Sequence, residues 1–281
     1  MGDSKLILSE TAPAKLNLAL HVRRRRDDGY HELETLFAFV ADGDTVELDE
    51  AGEGFAVNGP FAAKLAGEVE NLVTRAADRF AAIFNTPRSG RITLTKRLPV
   101  ASGIGGGSAD AAAMLRLLAG RHDVALDDPR LFDCALSLGS DVPACLFNRT
   151  AIGSGRGDRL NWIEGAPRTA VLLINPGVAV STASVFARWD GVDRGPLAQG
   201  ALLDVARTCR NDLEVPALTV APVIGAVLAA LTAQPGVTLA RMSGSGATCF
   251  ALFDSAAACT SAANRIGKAY PQWWCLETVL L

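Results

Sequence analysis

The chain has 281 residues, 49% of them apolar and 20% charged, which is enough apolar matter for one large globular domain or two ordinary ones. A net charge of −3 leaves no basic field for nucleic acid, and no uninterrupted apolar run reaches the ~18 residues that a membrane span needs. The six cysteines show no C-x-x-C spacing and the three histidines no metal-ligand spacing, so buried free thiols fit better than a disulfide frame or a zinc site. The opening Met1-Gly2-Asp3-Ser4-Lys5 is not a signal peptide. A soluble cytoplasmic protein without nucleic-acid or membrane partners is expected.

Residues 15–22 alternate, with Leu16, Leu18, Leu20 and Val22 on one face and Lys15, Asn17, Ala19 and His21 on the other, which predicts a strand. The run Arg23-Arg24-Arg25-Arg26 is cancelled at once by Asp27 and Asp28 and reads as a solvated hairpin tip, the alternative being attraction of a polyanionic small substrate. Residues 33–40 and 45–48 read as two further strands. Asn71 is placed to cap a helix with the stripe Leu72, Val73, Ala76, Phe80, Ile83 and Phe84. A strand at 91–96 feeds a glycine-rich run and a helix, and Asp128-Pro129 opens another helix that Gly139 closes as a C′ glycine.

The stretch 153–157 reads as a loop, and the chain is divided there into domains 1–152 and 153–281. Beyond it come a buried strand at 170–175, a helix at 222–233 and strands at 237–242 and 248–253. A helix at 255–269 and a strand at 276–280 complete the pattern. Antiparallel strands mixed with helices predict an α+β protein, not a doubly wound parallel sheet.

The most informative stretch is Pro99-Val100-Ala101-Ser102-Gly103-Ile104-Gly105-Gly106-Gly107-Ser108-Ala109. Glycine permits φ > 0 and close approach of a ligand to the backbone. A glycine loop at a helix start presents unpaired N–H groups and the positive dipole end, a setting for phosphate. The alternative is a flexible turn. A P-loop would need Gly-Lys-Ser/Thr, and a dinucleotide fingerprint would need Gly or Ala where Ser108 stands; neither fits. Lys15 and Asn17 share one strand face; Lys15 reads either as a solvent-exposed sheet residue or as a cation near a transferred group, and Asn17 beside it, disfavoured in strands, leans toward the second. Asp141 reads either as a cap for the short helix at 142–147 or as a carboxylate holding a hydroxyl for attack. The small-residue loop Ser243-Gly244-Ser245-Gly246-Ala247 is a tight hairpin or a second anion surface. These parts fit a nucleotide-dependent phosphotransferase.

Taken together, the 99–109 loop, the 243–247 loop, Ala12-Pro13-Ala14-Lys15-Leu16-Asn17-Leu18, Asp28-Gly29-Tyr30-His31-Glu32-Leu33, 137–143 and Asn211-Asp212-Leu213-Glu214 resemble the GHMP kinase superfamily. The similarity is closest to its branch acting on a cytidyl-diphospho-methylerythritol in non-mevalonate isoprene biosynthesis. The resemblance implies a two-domain GHMP fold with the active site in the cleft between domains, ATP as co-substrate and Mg²⁺. It implies Asp141 and Lys15 as catalytic residues and Asn17, Tyr30, His31 and Phe186 as holders of a small cytidyl diphosphate substrate. It also implies Asn71, Lys96 and residues 99–109 around ATP, Ser108 as the candidate metal contact, and a monomer or weak homodimer. Homoserine- or mevalonate-like acceptors, or nucleotide binding without turnover, are the alternatives. Ala101 stands where relatives often carry glycine, a departure expected to have little effect.

Overall fold

The computed structural model describes residues 7–65, 71–88 and 90–281; the 1–5 segment on which the absence of a leader is read lies outside them. In chain order the elements are β1 (Ile7–Arg25), β2 (His31–Asp49), β3 (Phe55–Asn58), α1 (Leu72–Phe84), β4 (Arg91–Thr95), α2 (Gly106–Arg121), α3 (Pro129–Leu138), α4 (Val142–Phe147), β5 (Ala151–Gly155) and β6 (Arg159–Trp162). They continue with β7 (Ala170–Asn175), α5 (Thr182–Phe186), α6 (Leu202–Thr208), α7 (Glu214–Val220), α8 (Val223–Thr232), β8 (Val237–Met242), β9 (Cys249–Phe253), α9 (Ala256–Ala269) and β10 (Trp274–Val279). The α+β class holds.

Two compact units interleave along the chain: residues 1–14, 42–100 and 105–147 form one, and residues 15–41, 101–104 and 148–281 the other. The division expected at 152/153 would cut through β5, whereas the chain passes between units for the last time at 147/148.

In the first unit β4 runs parallel to β3 and antiparallel to the second half of β2, with Thr45 opposite Thr95 and Asp49 opposite Arg91. Helix α1 begins where the sequence places it, because Asn71 Oδ1 accepts the Val73 amide at 2.9 Å. Its stripe buries Val73, Ala76 and Phe80, while Ile83 ends the stripe exposed. Helix α2 packs on α1 and α4, and its alanines and leucines are buried around almost the whole circumference. Gly139 follows α3 in an extended conformation, φ 164°, and not in the left-handed form expected of a C′ glycine. The strands expected at 33–40 and 45–48 are one continuous strand, β2. Asp42-Gly43-Asp44 looks like a turn, yet a Cβ on Gly43 would fall 1.9 Å from the Ala12 carbonyl oxygen, so glycine is there for backbone approach inside the sheet.

In the second unit β7 sits between β10 and β9, with β8 beyond β9, all antiparallel. Leu172, Ile174, Ile224, Phe253 and Ile266 anchor its core. Of the stretch expected as loop, only residues 156–157 are a turn; residues 153–155 belong to β5, which pairs with the first half of β2 and with β6, Gly153 lying opposite Thr35. Gly153 belongs in a strand because a Cβ there would come within 2.7 Å of the Phe37 ring. The short helices α5, α6 and α7 escape the sequence reading, since five to seven residues carry too little periodicity and are held by packing. Arg241 is buried and donates to the carbonyls of Leu18, Ala206 and Cys209, tying β1 and the end of α6 to β8. His21 is buried on β1, with Nδ1 2.9 Å from the Gly195 carbonyl and Nε2 accepting from the Arg210 amide at 3.4 Å. That arrangement suits the neutral ring, and burial followed by the Arg210 charge holds its pKa below the ordinary histidine value.

Two outcomes follow for stability. Gly153→Ala forces a methyl into the Phe37 ring and should cost about 1–3 kcal/mol, read as a lowered Tm. The folded state also resists protonation of His21, and His31 and His122 are shifted in the same direction, chiefly by burial. The unfolded chain therefore takes up more protons below the ordinary histidine pKa of ~6.5. Stability should hold at neutral pH and fall as the pH drops below that value, and His21→Asn should flatten the fall in urea midpoints.

Candidate active site

Lys15 is 3% exposed, so the solvent-exposed reading of this strand face is wrong. Residues on both faces of β1 between Lys15 and Val22 are buried, and the polar ones must find partners inside the protein. Lys15 Nζ donates to Asn17 Oδ1 at 2.8 Å and lies 5.2 Å from the centre of the Phe37 ring. Asn17 Nδ2 donates to Thr35 Oγ1 at 2.7 Å, and that hydroxyl donates to the Ala19 carbonyl at 2.8 Å. The Asn17 amide donates to Ser243 Oγ at 3.1 Å, which in turn donates to the Gly103 carbonyl at 3.0 Å.

This chain of bonds carries β1 to the glycine loop. Lys15 N donates to the Ile104 carbonyl and Thr248 N to the Ser102 carbonyl, both at 3.0 Å. Three successive loop carbonyls, those of Ser102, Gly103 and Ile104, are thereby taken up by the protein. The amides of Gly103, Ile104 and Gly105 donate to no acceptor among the described residues. Gly105 caps α2 with φ 65° and contributes no side-chain cap, so the first turn of the helix is left open to an external acceptor. A slack turn would not hold its carbonyls this way.

The two small-residue loops meet main chain to main chain. A Cβ on Gly103 would lie 2.5 Å from the Ser243 carbonyl oxygen, and one on Gly244 would lie 2.8 Å from the Gly103 carbonyl oxygen. The 243–247 loop is thus a tight, buried connection between β8 and β9. Asn211, in the block quoted above, holds it by donating to the Met242 and Gly244 carbonyls at 2.8 Å each. Asp212 accepts the Val22 amide at 2.8 Å. That block is therefore a brace for β1 and the second loop.

Around the 28–33 block, Gly29 turns the hairpin at φ 83° and leaves Tyr30 54% exposed, with the Arg156 guanidinium 5.0 Å from its ring centre. His31 and Phe186 come together at 4.7 Å between ring centres. Trp189, which the sequence reading missed, meets the His31 ring edge-on at 5.7 Å. His31 Nε2 and Trp189 Nε1 are buried and have no partner among the described residues. Burial, with Arg25 nearby, holds the His31 pKa below its ordinary value, so the ring is neutral near pH 7 and offers one donor and one acceptor. Three of the four arginines pair with acids: Arg23 meets Glu34 and Asp193, Arg24 faces Glu32, and Arg26 meets Asp28 and Glu32, while Arg25 donates to the Trp189 carbonyl at 3.3 Å.

In the first unit, Asp141 directly precedes α4 and its carbonyl accepts the Cys145 amide. Asn71 spends Oδ1 on its cap. Lys96 points inward, its ammonium donating to Asp44 Oδ2 at 2.5 Å and Asp110 Oδ2 at 2.6 Å. Burial opposes the Lys96 charge, but the Asp110 and Asp44 carboxylates outweigh it and raise the ammonium's pKa. Burial, together with the Asp44 charge, pushes Asp110 upward. Asp44 and Asp110 lie too far apart in the chain to be paired by reading; the one sign was an acidic residue inside an alanine-rich helix. Ala101 adopts φ 51°, so its departure from glycine is not neutral: the left-handed region costs a side-chain-bearing residue roughly 1–2 kcal/mol.

Residues 71–149 match the sequence profile of the GHMP kinases N terminal domain, and residues 197–272 that of the GHMP kinases C terminal domain. The chain belongs to the GHMP kinases, and it is an ATP-dependent phosphotransferase. It is 54% identical to the 4-diphosphocytidyl-2-C-methyl-D-erythritol kinase of Rhizorhabdus wittichii over 97% of this chain and 94% of that one. Identity to the enzyme of the same name from Azorhizobium caulinodans is 48%, over 96% and 97% of the two chains. A crystal structure of 4-(cytidine 5'-diphospho)-2C-methyl-D-erythritol kinase superposes with a TM-score of 0.81 at 35% identity, covering 97% of this chain and 98% of the other. Homoserine kinase from Cytophaga hutchinsonii, at 17% identity and a TM-score of 0.70 over 99% and 96% of the chains, shares the fold. Within the GHMP kinases, the chain falls in the family of the 4-diphosphocytidyl-2-C-methyl-D-erythritol kinases.

Replacing Ala101 by glycine should relieve the left-handed strain, offset in part by about 0.4–1 kcal/mol of unfolded-chain entropy. The expected outcome is a Tm equal to or slightly above that of the parent. A clear drop in Tm would show that the methyl is needed.

Proposed function

We propose that this chain transfers the γ-phosphoryl group of ATP to the 2-hydroxyl of 4-diphosphocytidyl-2-C-methyl-D-erythritol, a step of the non-mevalonate route to isoprenoid precursors. The observation that carries the nucleotide side of this reading is the glycine loop, where the carbonyls of Ser102, Gly103 and Ile104 are consumed by the protein while the amides of Gly103, Ile104 and Gly105 donate to no acceptor among the described residues. Amides fixed in advance cost no reorganisation when negative charge builds on the transferred group. Gly106, Gly107 and Ser108 continue that surface along the first turn of α2, whose positive dipole end favours phosphate, and the Ala109 amide closes the turn by donating to the Gly105 carbonyl at 2.8 Å.

On the acceptor side, Asp141 orients the attacking hydroxyl and receives its proton. Lys15 is the cation for the charge that develops at the reacting centre, and its bond to Asn17 keeps it in one rotamer. The aromatic cluster of His31 and Phe186, with Tyr30 on the adjoining hairpin, supplies flat apolar faces for a pyrimidine. Neutral His31 can pair with the donor and acceptor edge of cytosine. A homoserine or mevalonate acceptor has no ring for these side chains to engage.

Mg²⁺ belongs to the same reading. Among the described residues no three His, Cys, Asp or Glu side chains converge, which suits a cation carried largely by the nucleotide phosphates. Ser108 is the side chain offered for contact with it, and when bound the ion neutralises phosphate charge.

The direct test is ADP release with the cytidyl substrate beside homoserine and mevalonate, and only the first should be turned over. Asp141→Asn should lower kcat by about 10³-fold or more while ATP binding persists; near-parental turnover would remove Asp141 from the chemistry. Tyr30→Ala should raise KM for the cytidyl substrate about tenfold with little change in kcat. An unchanged KM would exclude stacking by that ring.

A further inference from the structure

The buried cluster of Asp44, Lys96 and Asp110 lies outside the parts assigned to acceptor or phosphate. Its three side chains are at most 4% exposed, and the Lys96 ammonium bridges both carboxylates. Asp44 does a second job, since its Oδ1 accepts the backbone amides of Arg97 and Leu98 at 2.5 and 2.8 Å. Those two residues lead directly into the glycine loop, and Asp110 lies in the second turn of the helix that leaves it. The ammonium sits beneath the first turn: a Cβ on Gly106 would be 3.1 Å from Nζ and 3.8 Å from Asp44 Oδ2.

We propose that Asp44, Lys96 and Asp110 are positioning residues for ATP: the triad spans the glycine loop from behind and sets the separation of its two ends, so that its amides stand at triphosphate spacing. The inference rests on the reading that this loop holds the nucleotide, and it gives Lys96 a task at the back of the loop. Stability is a weak reason to bury such a cluster, because apolar residues of similar volume commonly serve a fold as well as a buried ion triad does. Two carboxylates with one ammonium are, however, directional. They specify one spacing between the 96–98 segment and α2, which apolar packing would leave softer.

The test compares Asp44→Asn, which keeps an acceptor for the two amides but weakens the Lys96 bridge, with Lys96→Met/Asp44→Asn/Asp110→Leu, which replaces the bridge by neutral packing. MgATP affinity is measured by titration without acceptor, and KM and kcat by ADP release with the cytidyl substrate. In both variants MgATP affinity should weaken and KM for ATP rise about tenfold, with acceptor KM and kcat at saturating ATP within about twofold of the parent. A folded triple variant that binds MgATP as the parent does overturns the proposal. So does equal loss in both KM values and kcat, or loss of folding in both variants, which would assign the triad to stability. If the parent binds MgATP but does not turn over the cytidyl substrate, the acceptor assignment fails while the titration still decides the triad.

Discussion

Contact between two backbones without side chains is the constraint on which the glycine loop depends. Gly103 and the 243–247 loop are so close that a methyl on either side would overlap a carbonyl of the other. With no room for side chains, hydrogen bonds set the spacing, and Ser243 supplies them by accepting from the Asn17 amide and donating to the Gly103 carbonyl. One hydroxyl thus links the strand carrying Lys15 to the loop that offers its amides. The order of the loop comes from its neighbours, since glycine has the least conformational preference of its own.

Burial of polar groups is the second theme, and it is handled differently in the two units. On β1, Lys15 and Asn17 are sealed into a network of neutral acceptors that runs through Thr35 and ends on the Ala19 carbonyl. Lys96 is sealed between two carboxylates, and its charge is spent inside the protein. The same residue type thus donates to an amide oxygen in one unit and to two carboxylates in the other. The aromatic cluster follows the same logic, for burial keeps His31 neutral and so able to accept as well as donate.

Much of the fold was legible because strong local signals coincide with the elements. Asn71 before an amphipathic stripe, Asp128-Pro129, and the apolar run at 170–175 each mark an element that forms within a residue or two of its expected bounds. Glycine misled where its purpose is tertiary: Gly43 and Gly153 look like breaks, yet both sit inside strands to admit a neighbour. The loop at 99–109 was legible from composition, whereas the capture of its carbonyls depends on Lys15, Ser243 and Thr248, partners far away in the chain. Trp189, Thr35 and the acids around Lys96 were invisible for the same reason, since nothing near them in the chain foretells whom they meet. The division of the chain was also out of reach, because a single cut cannot describe units that exchange segments.

That exchange has a bearing on how the molecule is made. The second unit needs both the stretch 15–41, synthesised early, and everything after 148, synthesised late. Leu280 bridges to Val40, and the Leu281 amide donates to the Phe39 carbonyl at 2.9 Å, so residues 280–281 close against a strand laid down much earlier. On the ribosome, residues 39–40 of β2 must wait for residues 280–281 to emerge before this pairing can form. In a nascent chain of this kind the early strand lacks that partner for as long as the intervening residues are being made, an interval in which self-association competes with folding.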